Sequence, residues 1–411
     1  MNNQTLQPEY MSMFRCIGSE CEDTCCAVWN VAVDRETYQK YQGVTDSEMS
    51  KRLKEDVVLR KNSERTDHSY ASMKLNQKTG SCSFLDGGLC AIHGRLGEEY
   101  LSSTCASYPR KINEIDGAQE MSAVLSCPAA ARLALLNPNG IEFEYVQRND
   151  ARNTRVNVQL SLSAPDLPLT MTYFWELRVL SIEIMQNRKY SLSHRFMLLA
   201  VLADQVDETI QNQSSDGLPL LIERFRENMD TNPELTNPDV FPINHLFQLR
   251  FLNDILLSIT ENKIWTNPRY KECLDSYISG MQRSENEGIN ELLIFFETSY
   301  EKCYSGFLRE KEYILENYLV NYIFSTLFPI SAKGSMFDQV FYLGILFSLI
   351  RMQLVGIFAN SDSISEEDTV KLIQSFTKNF DHSVSFKKDL LKKCELEEAT
   401  TLGHLSLLVM Y

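Results

Sequence analysis

The sequence is short of positive charge. Its 40 lysine and arginine residues stand against 55 aspartate and glutamate residues, which gives a formal net charge of −15 at pH 7. Binding to nucleic acid and to anionic lipid both depend on basic residues. Nucleic acid and membrane surfaces are therefore not expected partners of this chain.

Targeting signals are also missing. The first ten residues contain no basic region followed by an apolar one, so no secretory signal is expected. The longest uncharged apolar run, Val340 to Ile350, is much shorter than the ~20 residues of a membrane span and predicts a buried helix. We expect a cytoplasmic protein, in which disulfides are rare and clustered cysteines more often bind metal or react.

Common cofactor motifs are absent as well. The sequence contains neither Gly-x-Gly-x-x-Gly nor Gly-x-x-x-x-Gly-Lys-Ser/Thr, so it offers no familiar dinucleotide or phosphate cradle. The spacing Cys-x3-Cys-x2-Cys, typical of radical enzymes, fails because Val28 stands where the third cysteine is required. What the chain does have is 411 residues with 44% hydrophobic content, enough for a sizeable core and two or three domains.

The cysteines are concentrated near the start of the chain. Eight of the 11 fall within residues 16–127, where an even spread would place roughly three. Thiolates are soft ligands that suit zinc or an iron–sulfur cluster, and the spacing leaves the choice between them open. The eight are Cys16, Cys21, Cys25, Cys26, Cys82, Cys90, Cys105 and Cys127.

Not every thiol has to be a ligand. Adjacent side chains of an extended segment point opposite ways, so only one of Cys25 and Cys26 is expected to face a given ion unless the loop bends sharply. His93, three residues after Cys90, is equally consistent with a ligand and with a polar loop residue. A free cysteine is also often a small buried hydrophobe, and this is the interpretation for Cys273, Cys303 and Cys394, with a surface position as the alternative.

Patterning divides the chain into two parts. Residues 1–165 are rich in cysteine and turns, with short apolar runs such as Met121 to Leu125, and predict a metal-organised domain of short strands and turns. Residues 166–411 predict a large all-helical domain, so the fold class is mainly α. Helical spacing after a possible Ser193 cap, and five later segments, support this: 244–262, 287–302, 309–328, 336–359 and a capped helix ending at about 379.

The cysteine motifs resemble a known family. The order Cys-x4-Cys-x3-Cys-Cys, then Cys-x-Phe-Leu-Asp with Cys-x-Ile, then Cys-x2-Tyr-Pro-Arg and Ser-Cys-Pro, covers residues 14–135 and is similar to the flagellin lysine N-methylases of bacteria. The first three motifs also resemble small zinc- or iron-chelating proteins. The helical half is similar around Glu316 to Ile323 and Leu327 to Pro329.

The resemblance implies an enzyme that transfers a methyl group from S-adenosylmethionine to lysine side chains of flagellin. It favours an iron–sulfur cluster, with zinc as the alternative. It carries over seven metal candidates: Cys16, Cys21, Cys25, Cys26, Cys82, Cys90 and Cys105. Cys127 is set apart from them, because the smaller chelating proteins lack a clear counterpart to it. Because methyl transfer to nitrogen needs no electron, we expect the metal to hold the loops together.

Methyl transfer to lysine also needs a site that removes the proton from an amine whose ordinary pKa is about 10.4. Tyr318 and Tyr322 lie one helical turn apart beside Asn317 and Asn321, which gives a candidate polar and aromatic wall, although an ordinary packed helix explains the same pattern. Two other classes of function stay open at this point. One is a metal-binding chaperone or adaptor, and the other is a structural zinc module on a non-catalytic helical scaffold.

Overall fold

The computed structural model describes most of the chain. The described residues are 4–27, 31–78, 80–147, 155–164, 167–212, 217–262, 264, 267–282, 288–330, 334–381, 383–396 and 400–411. Val28 lies outside them, as do Trp29 and Asn30, the first two residues of a second short apolar run in the sequence, Trp29 to Val33. The fold is mainly α, which confirms the predicted class.

The chain forms two compact units. The first, called here the cysteine unit, comprises Met1–Ala131 and Glu142–Ser161, and the second, called the helical unit, comprises Arg132–Ile141 and Leu162–Tyr411. The predicted domains 1–165 and 166–411 stay a prediction, because residues 165 and 166 lie outside the described ones.

The cysteine unit contains more sheet than its sequence suggested. Its five-stranded sheet has the order Val156–Leu160, Arg110–Ile115, Ala118–Ala123, Gln4–Pro8, Phe143–Gln147. The second and third strands in this order form a hairpin whose turn residues Asp116 and Gly117 have φ of 48° and 80°, the left-handed conformation of tight hairpin turns. The run Met121 to Leu125 thus falls at the end of a buried strand.

Smaller elements complete this unit. Strands Ala32–Val33, Ala71–Met73 and Val57–Leu59 form an antiparallel sheet, and Leu85–Asp86 pairs with Leu89–Cys90. Their apolar side chains share a core with Cys82, against which Cys26, Cys90 and Cys105 pack. The helices are Tyr10–Met13, Arg35–Gln42, Ser47–Asp56, Ala91–Leu96 and Ser103–Ser107, with Pro128–Leu135 at the boundary of the unit.

The described part of the helical unit contains helices and no strand. Several of its helices begin and end close to the predicted segments. Their bounds are Leu169–Thr172, Phe174–Gln186, Leu192–Gln211, Gly217–Asn228, Pro233–Thr236, His245–Glu261, Pro268–Met281, Ile289–Cys303, Tyr313–Ser325, Met336–Ser361, Glu366–Phe380, Val384–Leu396 and Leu402–Val409.

One predicted cap is wrong. Ser191, and not Ser193, caps helix Leu192–Gln211, because the Ser191 side chain accepts the backbone N–H of His194. Ser193 lies inside the helix, where its hydroxyl accepts a hydrogen bond of 2.7 Å from the Arg351 guanidinium.

Helix Met336–Ser361 is the centre of the helical unit. It is long and apolar enough to cross a membrane by composition alone, yet its most apolar window is entirely buried. Gly356 lies where helix Pro268–Met281 crosses it, and a Cβ atom on Gly280 would collide with the Gly356 carbonyl oxygen. The two backbones approach closely because both positions are glycine.

A buried ion network joins three segments of the helical unit. Arg195 and Glu316 are each 1% exposed and form a hydrogen-bonded pair of 2.6 Å. Glu312 accepts from Arg195 at 3.0 Å, and Arg188 donates to Glu316 at 2.8 Å. A buried charge is tolerated only when it is paired and hydrogen-bonded, as these are.

Candidate functional site

The first cysteine motif lies next to the second through a backbone contact. The Cys82 N–H donates to the Cys26 carbonyl at 2.7 Å, and Ala27 pairs with Ser81 in an isolated bridge. The chain turns at Cys25 and Cys26, so their sulfur atoms lie 3.9 Å apart. Because of this turn, the alternation expected of an extended chain does not apply to the pair.

A hairpin positions Cys82 and Cys90. Gly87 and Gly88 form its turn with φ of 56° and 85°, a pair of left-handed conformations that favours glycine. Cys90 pairs with Leu85, whose N–H donates to the Cys82 carbonyl. The motif Cys-x-Phe-Leu-Asp-Gly-Gly-Leu-Cys therefore folds back so that its two cysteines approach each other.

Cys105 is held by a short helix and by an aspartate from elsewhere in the unit. Ser102 caps helix Ser103–Ser107 by accepting the Cys105 N–H. Asp34, which caps helix Arg35–Gln42, also accepts the Ser103 N–H at 2.8 Å. Sequence reasoning missed Asp34, although an aspartate just before a helical segment is a usable capping signal.

All eight clustered cysteines line one cavity of about 710 Å³ in the cysteine unit. Cys16 and Cys25 are exposed, Cys82 and Cys127 are buried, and the other four are half-buried. His93 also lines the cavity, with an exposed side chain. In contrast, Cys273, Cys303 and Cys394 are buried in the helical unit, in agreement with a core role.

Burial and neighbouring thiols raise the pKa of several of these cysteines. Burial, followed by the charges of Cys90, Cys82 and Cys25, raises the pKa of Cys105 to about 12. The neighbouring Cys25 thiol raises the pKa of Cys26, with further contributions from burial, Cys90 and Cys105. Burial raises the pKa of Cys127 to about 12, and there the neighbouring thiols are Cys21 and Cys16.

The eight thiols that line the cavity are donors of the kind that soft metal ions prefer. Thiols that raise each other's pKa values resist ionisation together, and a bound cation removes that penalty by converting them to thiolates. Among the described residues, no group of three or more histidine, cysteine, aspartate or glutamate side chains is already gathered in a metal-holding arrangement. The eight thiols therefore surround a shared space without a closed coordination site.

Comparison with known proteins places the chain in a family. Residues 178–408 match the model of the FliB lysine N-methylase C-terminal domain, which is more than half of the chain. The chain belongs to the FliB lysine N-methylase family. No solved structure matches it.

Relatives of the whole chain carry the same name as the family. The lysine-N-methylases of Salmonella typhimurium and Salmonella choleraesuis are 22% and 21% identical over 401 residues, covering 95% of this chain and 94% of each relative. The flagellar biosynthetic protein FliU of Salmonella muenchen is 29% identical over 136 residues, which is 33% of this chain and 79% of that protein. The resemblance predicted from the motifs is thereby confirmed.

The candidate aromatic wall lies inside the matched FliB domain, and its residues differ in environment. Asn317 is buried and donates to the carbonyls of Leu135 and Asn137, so it holds the segment Arg132–Ile141 in the helical unit and does not face solvent. Tyr318 is 1% exposed, and its ring centroid lies 6.5 Å from that of Tyr322. Asn321 is also buried.

Proposed function

We propose that this chain is a protein-lysine N-methyltransferase that uses S-adenosylmethionine to methylate surface lysines of flagellin in the cytoplasm. The observation that carries the proposal is membership of the FliB lysine N-methylase family, with full-length relatives named lysine-N-methylase. The name of the FliU relative supports a flagellar substrate. The net charge of −15 favours a lysine-bearing partner, since a negative surface attracts positive side chains.

The reaction sets requirements for the residues of the site. A neutral lysine amine attacks the methyl carbon of the sulfonium donor, so a nitrogen–carbon bond forms while the carbon–sulfur bond breaks. The amine and the methyl carbon have to be held about 3–3.5 Å apart and in line. A partly desolvated aromatic surface lowers the pKa of the amine and binds its aliphatic part.

The proposed metal is an iron–sulfur cluster, with zinc as the alternative. Cys26, Cys82, Cys90 and Cys105 are the ligands we favour, because they pack against one core and their thiols influence each other. Cys16, Cys21 and Cys25 remain further candidates at the same cavity. When bound, the metal would supply folding free energy by cross-linking three loops.

Two measurements test this proposal. Purified protein is incubated with flagellin and S-adenosylmethionine, and flagellin peptides are analysed by mass spectrometry; omission of the methyl donor is the control. We expect a mass increase of one or more methyl groups on lysine, and unmodified lysines would contradict the enzymatic function. Anaerobic purification with visible spectroscopy and metal analysis tests the cluster, which a colourless, iron-free sample would exclude.

A further inference from the structure

A second cavity lies in the cysteine unit, and it shares no lining residue with the cavity of the eight cysteines. Its volume is about 740 Å³, within the range of about 300–1,000 Å³ that is usual for small-molecule sites. It is called here the polar cleft. Five charged side chains and one buried hydroxyl line it, and they belong to Asp34, Arg35, Glu36, Asp67, Arg155 and Ser103.

Helix Ser103–Ser107 borders both cavities. Its residue Ser103 lines the polar cleft, whereas Cys105 lines the cavity of the eight cysteines. The Ser107 hydroxyl accepts the Arg155 backbone N–H at 2.9 Å, and Asp34 accepts the Ser103 N–H at 2.8 Å. Backbone hydrogen bonds thus hold three segments around the cleft, and none of these bonds uses the Arg155 side chain.

The buried part of the cleft has an unfilled hydrogen-bonding capacity. Asp34 is 5% exposed and Ser103 is 3% exposed. Burial raises the pKa of Asp34, and the Ser103 hydroxyl is among the groups that lower it, yet this hydroxyl makes no hydrogen bond of ordinary geometry with any described residue. Leaving a buried hydroxyl unpaired costs about 1–3 kcal/mol. A ligand in the cleft with hydroxyl groups of its own would satisfy it.

The rim of the cleft is charged and exposed. Arg35 and Asp67 form an ion pair of 3.3 Å, and Glu36 pairs at 2.9 Å with Lys40, which does not line the cleft. Pairs as exposed as these are weak, so a charged ligand can compete for their members. The Arg155 guanidinium is exposed, and among the described residues it has no hydrogen-bond or ion-pair partner.

The charges of the cleft indicate the charges of its ligand. Three carboxylates and two guanidinium groups line it, so a complementary ligand carries two positive groups and one negative group. S-adenosylmethionine has this set, because it carries a sulfonium, an ammonium and a carboxylate. Its ribose adds the two hydroxyls that the buried part of the cleft lacks.

We infer that the polar cleft binds S-adenosylmethionine. This inference rests on the proposed lysine methyltransferase function and adds to it a place for the methyl donor. Arg155 is the free guanidinium for the donor's carboxylate, while Glu36 and Asp67 supply negative charge for its ammonium and sulfonium. Ser103 and Asp34 are the polar groups for the ribose. Because the rim is exposed, a lysine on another protein can reach a donor bound there.

The same charges predict that the cleft distinguishes the donor from its product. When the methyl group leaves, the sulfur keeps the electron pair of the broken bond and becomes a neutral thioether, and the lysine amine loses its proton to solvent. S-adenosylhomocysteine therefore has one positive charge fewer than the donor. The acidic rim should bind the donor more tightly than this product.

The test is calorimetric titration of the full-length, anaerobically purified protein with S-adenosylmethionine and with S-adenosylhomocysteine. Arg155→Met should raise the Kd of both ligands about tenfold, because both carry the carboxylate. The double substitution Glu36→Gln and Asp67→Asn should weaken donor binding several-fold more than product binding. Circular dichroism checks that the variants are folded, which their exposed positions favour.

Arg95→Met is the matched control. Arg95 is an exposed arginine of the cysteine unit that lines neither cavity, and its ion pair with Glu48 is also exposed. This variant should bind both ligands as the unmodified protein does. Equal Kd values for Arg155→Met and Arg95→Met would overturn the inference, as would an unchanged ratio of donor to product Kd in the double variant.

Mass spectrometry of flagellin separates this inference from the proposed function. If the donor binds and Arg155→Met weakens it, but flagellin lysines stay unmethylated, the cleft is supported and the enzymatic proposal fails. If lysines are methylated and donor binding does not respond to Arg155→Met, the cleft is wrong and the enzymatic proposal stands.

Discussion

Asp34 ties the loop that carries Cys105 to a neighbouring helix. Its carboxylate accepts the backbone N–H and the hydroxyl of Thr37 as well as the Ser103 N–H. Burial alone would raise the pKa of Asp34, but the hydrogen bonds from Ser103 and Thr37 outweigh it and lower the pKa below its ordinary value. The ionised form is therefore the one that stabilises the folded cysteine unit.

The Asp34→Asn variant should lose about 1–2 kcal/mol of unfolding free energy at pH 7, since an amide nitrogen cannot accept the Ser103 N–H. A group with a lowered folded pKa stabilises above its unfolded pKa of about 3.9, and this contribution disappears as pH falls through the folded pKa. The difference between the two proteins should thus shrink below about pH 4. Urea unfolding at pH 7 and at acid pH measures it.

Asp46 provides the control for that experiment. It caps helix Ser47–Asp56 through the Met49 N–H and has an exposed side chain. Because asparagine caps helices about as well as aspartate, Asp46→Asn should change stability little. Equal effects of the two substitutions at pH 7 would show that the Asp34 link to Ser103 contributes nothing.

Cys105 and Cys303 are two thiols with different expected roles, since Cys105 is a candidate metal ligand and Cys303 is a core residue. Burial raises the pKa of both to about 12, but only Cys105 lines the cavity of the cysteine unit. Cys105→Ala should lower metal affinity by about 10- to 100-fold, the range that even outer-shell substitutions reach. Cys303→Ala should retain full metal content, so similar iron and zinc contents in the two variants would refute the ligand assignment.

At the scale of elements, the crossing of two helices depends on a pair of glycines. A Cβ atom at position 280 would also lie 2.8 Å from the Asn360 backbone nitrogen, which cannot move as a flexible side chain does. Gly280→Ala should therefore destabilise the helical unit by about 1–3 kcal/mol. Thermal unfolding should record this as a lower midpoint, by about 2–4 °C for each kcal/mol.

Gly306→Ala is the control for the Gly280→Ala variant. No described atom lies within 4 Å of where its Cβ would stand, and the residue is exposed. Alanine in such a place should leave the midpoint unchanged or raise it slightly, because it restricts the unfolded chain. Equal unfolding midpoints for Gly280→Ala and Gly306→Ala would show that the two helices can move apart to admit the methyl group without a loss of stability.

Helices of the helical unit were predictable because their caps and apolar spacing are local. Ser365 and Asp368 form a capping box at the start of helix Glu366–Phe380, close to where the sequence placed a capped helix. The five-stranded sheet was not predictable, since strand Gln4–Pro8 pairs with Phe143–Gln147 across most of the cysteine unit. Pairings at that sequence distance leave no local pattern.

At the scale of the whole molecule, the order of the cysteine motifs predicted which cysteines line the cavity. The contacts that bring these cysteines together depend on the fold and could not be predicted from the motifs. The sequence identified the eight thiols, and all eight line one space. It could not show that Cys26 and Cys82 are joined by a backbone hydrogen bond, or that Asp34 reaches Ser103. It also gave no sign that the Lys387 Nζ atom lies 4.7 Å from the centre of the Tyr342 ring, a contact that only tertiary packing brings about.

The most direct test of the whole account follows an isotopically labelled methyl group from S-adenosylmethionine into flagellin, with the unmodified protein, Cys105→Ala and Cys303→Ala compared at equal concentration. Peptide mapping then assigns the label to individual residues. We expect label on flagellin lysines with the unmodified protein and with Cys303→Ala, and strongly reduced label with Cys105→Ala. Flagellin without label on any lysine after incubation with metal-loaded, folded protein would contradict it.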